Sequence, residues 1–149
     1  MIINSTHDLI FPLTESSSNP LFRLPLYLAK VPAGFPSPAE DYLSTQLDLN
    51  EHLIKHPAAT FLVRASGSSM VDAGIHENDI LVVDKSCPPI SGKIVIAAID
   101  GQLTVKRLHK KPDGKFILKA EHPNHPPIEV NENSDVHIWG VVTYIIHAV

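Results

Sequence analysis

Cysteine is almost missing from this sequence. Cys87 is the only one in 149 residues, so no disulfide can close within the chain. It lies in the loop "KSCPPI" with no ligand spacing around it and reads as an incidental thiol. An excess of positive charge is missing too: 12 Lys and Arg face 16 Asp and Glu, for a net charge of −4. That argues against a broad basic face and against tight non-specific binding to duplex DNA. The basic run "KRLHKKPDGK", Lys106 to Lys115, reads as a solvated turn around Pro112-Asp113-Gly114. No apolar run approaches the roughly 18–20 residues needed to cross a bilayer. The opening "MIINSTHDLIF" has neither a basic start nor a long apolar stretch, so no secretory signal and no membrane partner are expected, and the cytoplasm is the expected compartment.

What the chain does have is enough apolar content for a core. Hydrophobic residues make up 44% and charged residues 19%, which fits one domain carrying an arm. The arm is marked by proline. Pro12, Pro20, Pro25, Pro32 and Pro36 deny the segment a regular helix or a central strand, so residues 1–36 read as an extended arm. Leu21, Phe22, Leu24, Leu26, Tyr27 and Leu28 give it apolar side chains suited to lying along a groove. Order is expected from residue 37. Ser37, Pro38 and Glu40 form a capping box, with Tyr42, Leu43 and Leu47 on one helical face. "DLNE" at 48–51 repeats the device, Leu53 and Ile54 follow, and His56-Pro57 stops the helix.

From Thr60 the pattern turns to strand. "TFLVRAS", "DILVVD", "KIVIAAI", "QLTVKRL", "KFILKA" and "HIWGVVTYIIHAV" are β-branched, apolar runs split by turns. Asp100-Gly101 predicts a two-residue hairpin loop between two of them. The fold class is therefore mainly β: a compact domain over 37–149 with a short N-terminal helical segment and the arm ahead of it.

The chemistry centres on "RASGSSMVDAGIHENDILVVD", where Ser66, Ser68 and Ser69 crowd together just before a buried strand. A turn accounts for that composition; so does a nucleophile, given a base. The α/β-hydrolase elbow does not fit, because "GSSMV" lacks the second glycine and no βαβ pattern surrounds it. A Ser-His-Asp triad stays open in principle, since nine histidines are present, but they are scattered and none stands out. A lysine base is the third route. It must be neutral to act, which desolvation achieves, so a lysine inside an apolar strand is required. Lys106 in "LTVKRL" qualifies, whereas Lys93 and Lys119 stand at strand ends, nearer water. The ordinary alternative for Lys106 is a place on the solvent face of a hairpin.

Taken together, "ASGSSM", "AGI", "NDILVVD", "GKIVIAAIDGQLTVKRL", "HPNHPPI" and "WGVV" resemble the LexA/UmuD family of self-cleaving serine peptidases, its UmuD-like branch in particular. The likeness runs from about Val31 to Val149. It implies a compact, mainly β peptidase domain in which Ser69, directly before Met70, is the nucleophile and Lys106 its base. It also implies self-cleavage at Ala33-Gly34, stimulated by a RecA filament on single-stranded DNA. By the same likeness, the shortened product is a homodimer that serves a Y-family translesion DNA polymerase in SOS mutagenesis. No cofactor and no metal are implied. Ser66 fits either a turn or the shaping of the oxyanion site. Ser68 stands where such chains often carry Asp and has no assigned role. Asn78 replaces a usual Gly, and Asn tolerates positive φ well enough to keep that turn. His122 and His125 in "HPNH" read as loop residues, since no third ligand accompanies them. The arm is too short and proline-rich to supply a helix-turn-helix, which disfavours a repressor. The alternatives are a non-cleaving interaction module and a phage-type regulator of the same fold.

Overall fold

A computed structural model describes residues 22–36, 43–130 and 133–149. The chain divides into two compact units, Met1–Leu49 and Asn50–Val149.

In the first unit, strand β1 (Arg23–Tyr27) pairs antiparallel with β2 (Ser44–Asp48), from Arg23 opposite Asp48 to Tyr27 opposite Ser44. The proline argument holds in a restricted sense. Pro25 lies in a strand, opposite Gln46, but this is a ribbon of two strands, both of them edges. The helix expected through Leu43 and Leu47 is not there, because residues 44–48 are strand. Pairing with β1 overrides a local pattern that suits either state. Ser37, Pro38, Glu40 and Tyr42 fall outside the described residues. The short helix itself is α1, Leu49–Leu53, a single turn closed by Ile54 N–H donating to the Asn50 carbonyl at 3.0 Å.

The second unit is a seven-stranded antiparallel sheet. Its strands are β3 (Thr60–Arg64), β4 (Ile80–Asp84), β5 (Ile94–Ile99), β6 (Gln102–Lys110), β7 (Phe116–Lys119), β8 (Ile128–Val130) and β9 (Val136–Ile146). Their order across the sheet is β3-β4-β9-β5-β6-β7-β8. The six runs read from the sequence are all strands. Asp100 (φ 49°) and Gly101 (φ 79°) form the tight loop between β5 and β6, with Ile99 opposite Gln102. Both take positive φ, as the hairpin turn that matches strand twist demands.

β9 is the longest strand and an interior one, hydrogen-bonded to β4 on one side and β5 on the other. It bulges twice, between the pairs made by Val82 and Val83 and between those made by Ile96 and Ala97. At Gly140 a Cβ would stand 2.7 Å from Val83 Cγ1 and 3.2 Å from the Asp84 carbonyl oxygen, so only glycine lets the backbones close. Two apolar clusters fill the unit: Ala65, Met70, Ile75, Leu81, Val83 and Ile96 in one, and Val95, Ala97, Leu108, Leu118 and Val141 in the other. No described helix is long and apolar enough to cross a membrane.

Candidate active site

The serine-rich turn is fixed from both sides. After β3, the Ala65 N–H donates to the Asp79 carbonyl at 2.8 Å and the Asn78 N–H donates to the Ala65 carbonyl at 2.9 Å. Asn78 has φ 69°, so it takes the left-handed conformation the turn needs. Gly67 (φ 83°) reverses the chain, and its N–H donates to the Glu77 carboxylate. Met70 is buried with Ile75 and Leu81, anchoring the far end of the turn in the core. A turn of 3-10 helix, Val71–Ala73, follows. From the other side, the Glu121 N–H donates to the Ser69 carbonyl at 2.8 Å, and the Asp72 N–H donates to the Glu121 carbonyl at 3.0 Å. The Glu121 carboxylate also pairs with Arg107, the residue after Lys106, so one segment braces both halves of the site.

Lys106 projects from β6, an interior strand between β5 and β7, and is only 8% exposed. Its Nζ donates to Ser69 Oγ at 3.1 Å, to Thr104 Oγ1 at 3.0 Å and to the Val105 carbonyl at 3.0 Å. Burial lowers its pKa from the ordinary lysine value, since desolvation disfavours the ammonium. The three contacts suit either protonation state. A charged ammonium fills them with three donors. A neutral amine spends two on Thr104 and Val105 and turns its lone pair to the Ser69 hydroxyl. The second arrangement can accept a proton.

The structure thus brings Ser69 and Lys106 together. Lys93 and Lys119 are exposed. Among the described residues no histidine hydrogen-bonds Ser66, Ser68 or Ser69. Ser66 and Ser69 line a cavity of about 190 Å³ with Gly67, Met70, Leu103 and Thr104. Ser68 is exposed beside it. Ala33 and Gly34 lie in the first unit, exposed, on the connection between β1 and β2. Thr104 is the site residue that sequence reasoning missed. Its signal was alternation: two positions before Lys106, it shares that lysine's face of β6. His122 and His125 have ring centroids 5.0 Å apart, and His122 Nδ1 accepts the Asn124 N–H.

Comparison with known proteins shows the family. The family model described as Peptidase S24-like matches residues 25–143. Protein SamA of Salmonella typhimurium is 50% identical over 123 residues, covering 83% of this chain and 84% of its own. Protein MucA of Escherichia coli is 42% identical over 131 residues, covering 87% and 88%. The LexA repressor of Photorhabdus laumondii is 41% identical over 119 residues, 80% of this chain but 55% of the repressor. With the match spanning most of the described strands and the serine turn, the chain belongs to the Peptidase S24-like family, as a UmuD-like member of its LexA/UmuD group.

Proposed function

We propose that this protein is a cytoplasmic SOS mutagenesis factor that cuts itself once, at Ala33-Gly34, with Ser69 as nucleophile and Lys106 as general base. Neutral Lys106 takes the hydroxyl proton as Ser69 Oγ attacks the Ala33 carbonyl carbon. The tetrahedral intermediate collapses, and the same proton passes to the departing Gly34 nitrogen. The Ala33–Ser69 ester is then hydrolysed by a water activated by Lys106, which restores the serine. The observation that carries this reading is the 3.1 Å contact between Lys106 Nζ and Ser69 Oγ, made by a lysine whose burial favours the neutral form.

By likeness to the family, a RecA filament on single-stranded DNA stimulates the cut. The product, residues 34–149, is a homodimer that joins a Y-family translesion polymerase as its accessory subunit. Residues 1–33, most of the 1–36 arm, are the part removed, and residues 37–149 are the peptidase and interaction domain. Intact mass before and after incubation with activated RecA tests the reading. A product starting Gly-Phe-Pro-Ser-Pro is expected from the parent and none from Ser69→Ala or Lys106→Ala. An unchanged mass in the parent, with binding to a polymerase intact, means an interaction module that does not cleave.

A further inference from the structure

We propose that His76, Asp79 and His147 form a binding site for one divalent transition-metal ion of the zinc class. Two exposed imidazoles flank one buried carboxylate. His147 Nδ1 lies 2.6 Å from Asp79 Oδ1, and His76 Nδ1 lies 3.8 Å from Asp79 Oδ2. The two rings stand 4.9 Å apart between centroids, and one potential ligand atom from each of the three residues falls within 4.8 Å of the others. Among the described residues this is the one group of three such side chains placed to hold an ion.

The chemistry of the set fits. Two imidazoles and a carboxylate are a donor set that zinc takes with bonds of about 2.0–2.2 Å, leaving a fourth position for water. Such bonds place ligand atoms roughly 3.3 Å apart at a tetrahedral ion. The carboxylate is the fixed ligand. It is 2% exposed, and the backbone N–H of His76 holds its Oδ2 at 2.8 Å. The histidines are the adjustable ligands. Their side chains are 51% and 45% exposed, free to turn the short distance inward. The entering ion takes the place of the hydrogen between His147 Nδ1 and Asp79 Oδ1, and the ring binds as a neutral imidazole carrying its one N–H on Nε2.

The location gives the site a consequence. His76 and Asp79 belong to the turn whose backbone fixes Ala65, while His147 follows the end of β9. Asp79 and His147 are 68 positions apart in the chain, so an ion there would cross-link the turn to the chain's C-terminal end.

The test uses the full-length protein and zinc sulfate alone, with a chromophoric chelator as competitor. One equivalent of Zn²⁺ is expected per chain, with a higher melting temperature on saturation. Loss of an outer-shell partner already weakens metal sites about 10- to 100-fold, so His76→Ala and His147→Ala should each weaken uptake by more than about tenfold. Both side chains are exposed, so these variants should stay folded, which circular dichroism checks; Asp79→Asn is less informative because that residue is buried. His122→Ala should change nothing. Absence of saturable uptake by the parent overturns the site. So does uptake that survives in the folded His76→Ala/His147→Ala double variant, or that is lost in His122→Ala.

Discussion

At the scale of single residues, the candidate site depends on the charge of one amine. Lys106 has a lowered pKa because it is buried, and its protonated form cannot accept the Ser69 proton. Self-cleavage without RecA should therefore rise as pH increases until the lysine is neutral or the fold fails, and a rise that continues above pH 8 would mark a lysine base. A histidine base, with an ordinary pKa of about 6.5, would level off by then. First-order cleavage rates from about pH 6 to 10.5 in the parent and in Lys106→Ala decide between them. Thr104 should act as a positioning residue, since its hydroxyl and the Val105 carbonyl are the two groups that hold Nζ toward Ser69. Thr104→Val should slow cleavage and displace its pH profile, and Thr104→Ser should restore both. Gly34 offers a cleaner probe of fit. An added Cβ there meets no heavy atom within 4 Å, so Gly34→Val leaves its own unit undisturbed. Loss of cutting in that variant reports on the approach of the peptide to Ser69, read as the absence of a shortened product by mass.

Asp84 governs a different property. Ser86 Oγ and N–H donate to its Oδ1 at 2.6 and 2.8 Å, and His56 Nδ1 lies 2.6 Å from its Oδ2. These bonds hold the carboxyl well below the usual range, the Ser86 hydroxyl foremost. A depressed folded pKa gives stability that is present above the unfolded value of about 3.9 and lost as pH falls toward the folded one. Urea unfolding should show a fall in stability below about pH 4 that is shallower in Asp84→Asn.

Among the elements, β9 is the most exacting. Gly140 sits where it passes Val83 and Asp84 closely, and any side chain must push one of them aside. Gly140→Val should cost about 1–3 kcal/mol, measured as a shift in the urea midpoint. The strands were legible from sequence wherever three or more β-branched, aromatic or leucine residues stood together. β8, only Ile128–Val130, is too short to show alternation, and it exists because β7 offers it an edge. β1 and β2 were hidden for another reason. "RLPLY" contains a proline and "STQLD" is compatible with a helix, so pairing between the two decides their state. The same limit applies to sites. Lys106 was one candidate, a lysine inside an apolar strand that could equally face solvent, and the family likeness singled it out; Thr104 was its neighbour by alternation. The closeness of His76 to His147 arises from folding alone.

For the molecule as a whole, the position of Ala33-Gly34 between β1 and β2 would separate two events under the proposed cleavage. A cut there severs the covalent link across the ribbon, yet leaves Arg23–Tyr27 hydrogen-bonded to Ser44–Asp48. Chemistry and departure then become distinct steps, like a ticket torn before its stub is handed over. An isolated two-stranded ribbon is marginal in water. Phe22, Leu24, Leu26 and Tyr27 are all exposed, which leaves little apolar grip on the stub. The severed peptide should drift off faster than it can be rejoined, and dilution makes the decision one-way. Native mass spectrometry taken during cleavage should catch a nicked species at parent mass plus one water, giving way to the shortened chain with its β2 edge bare.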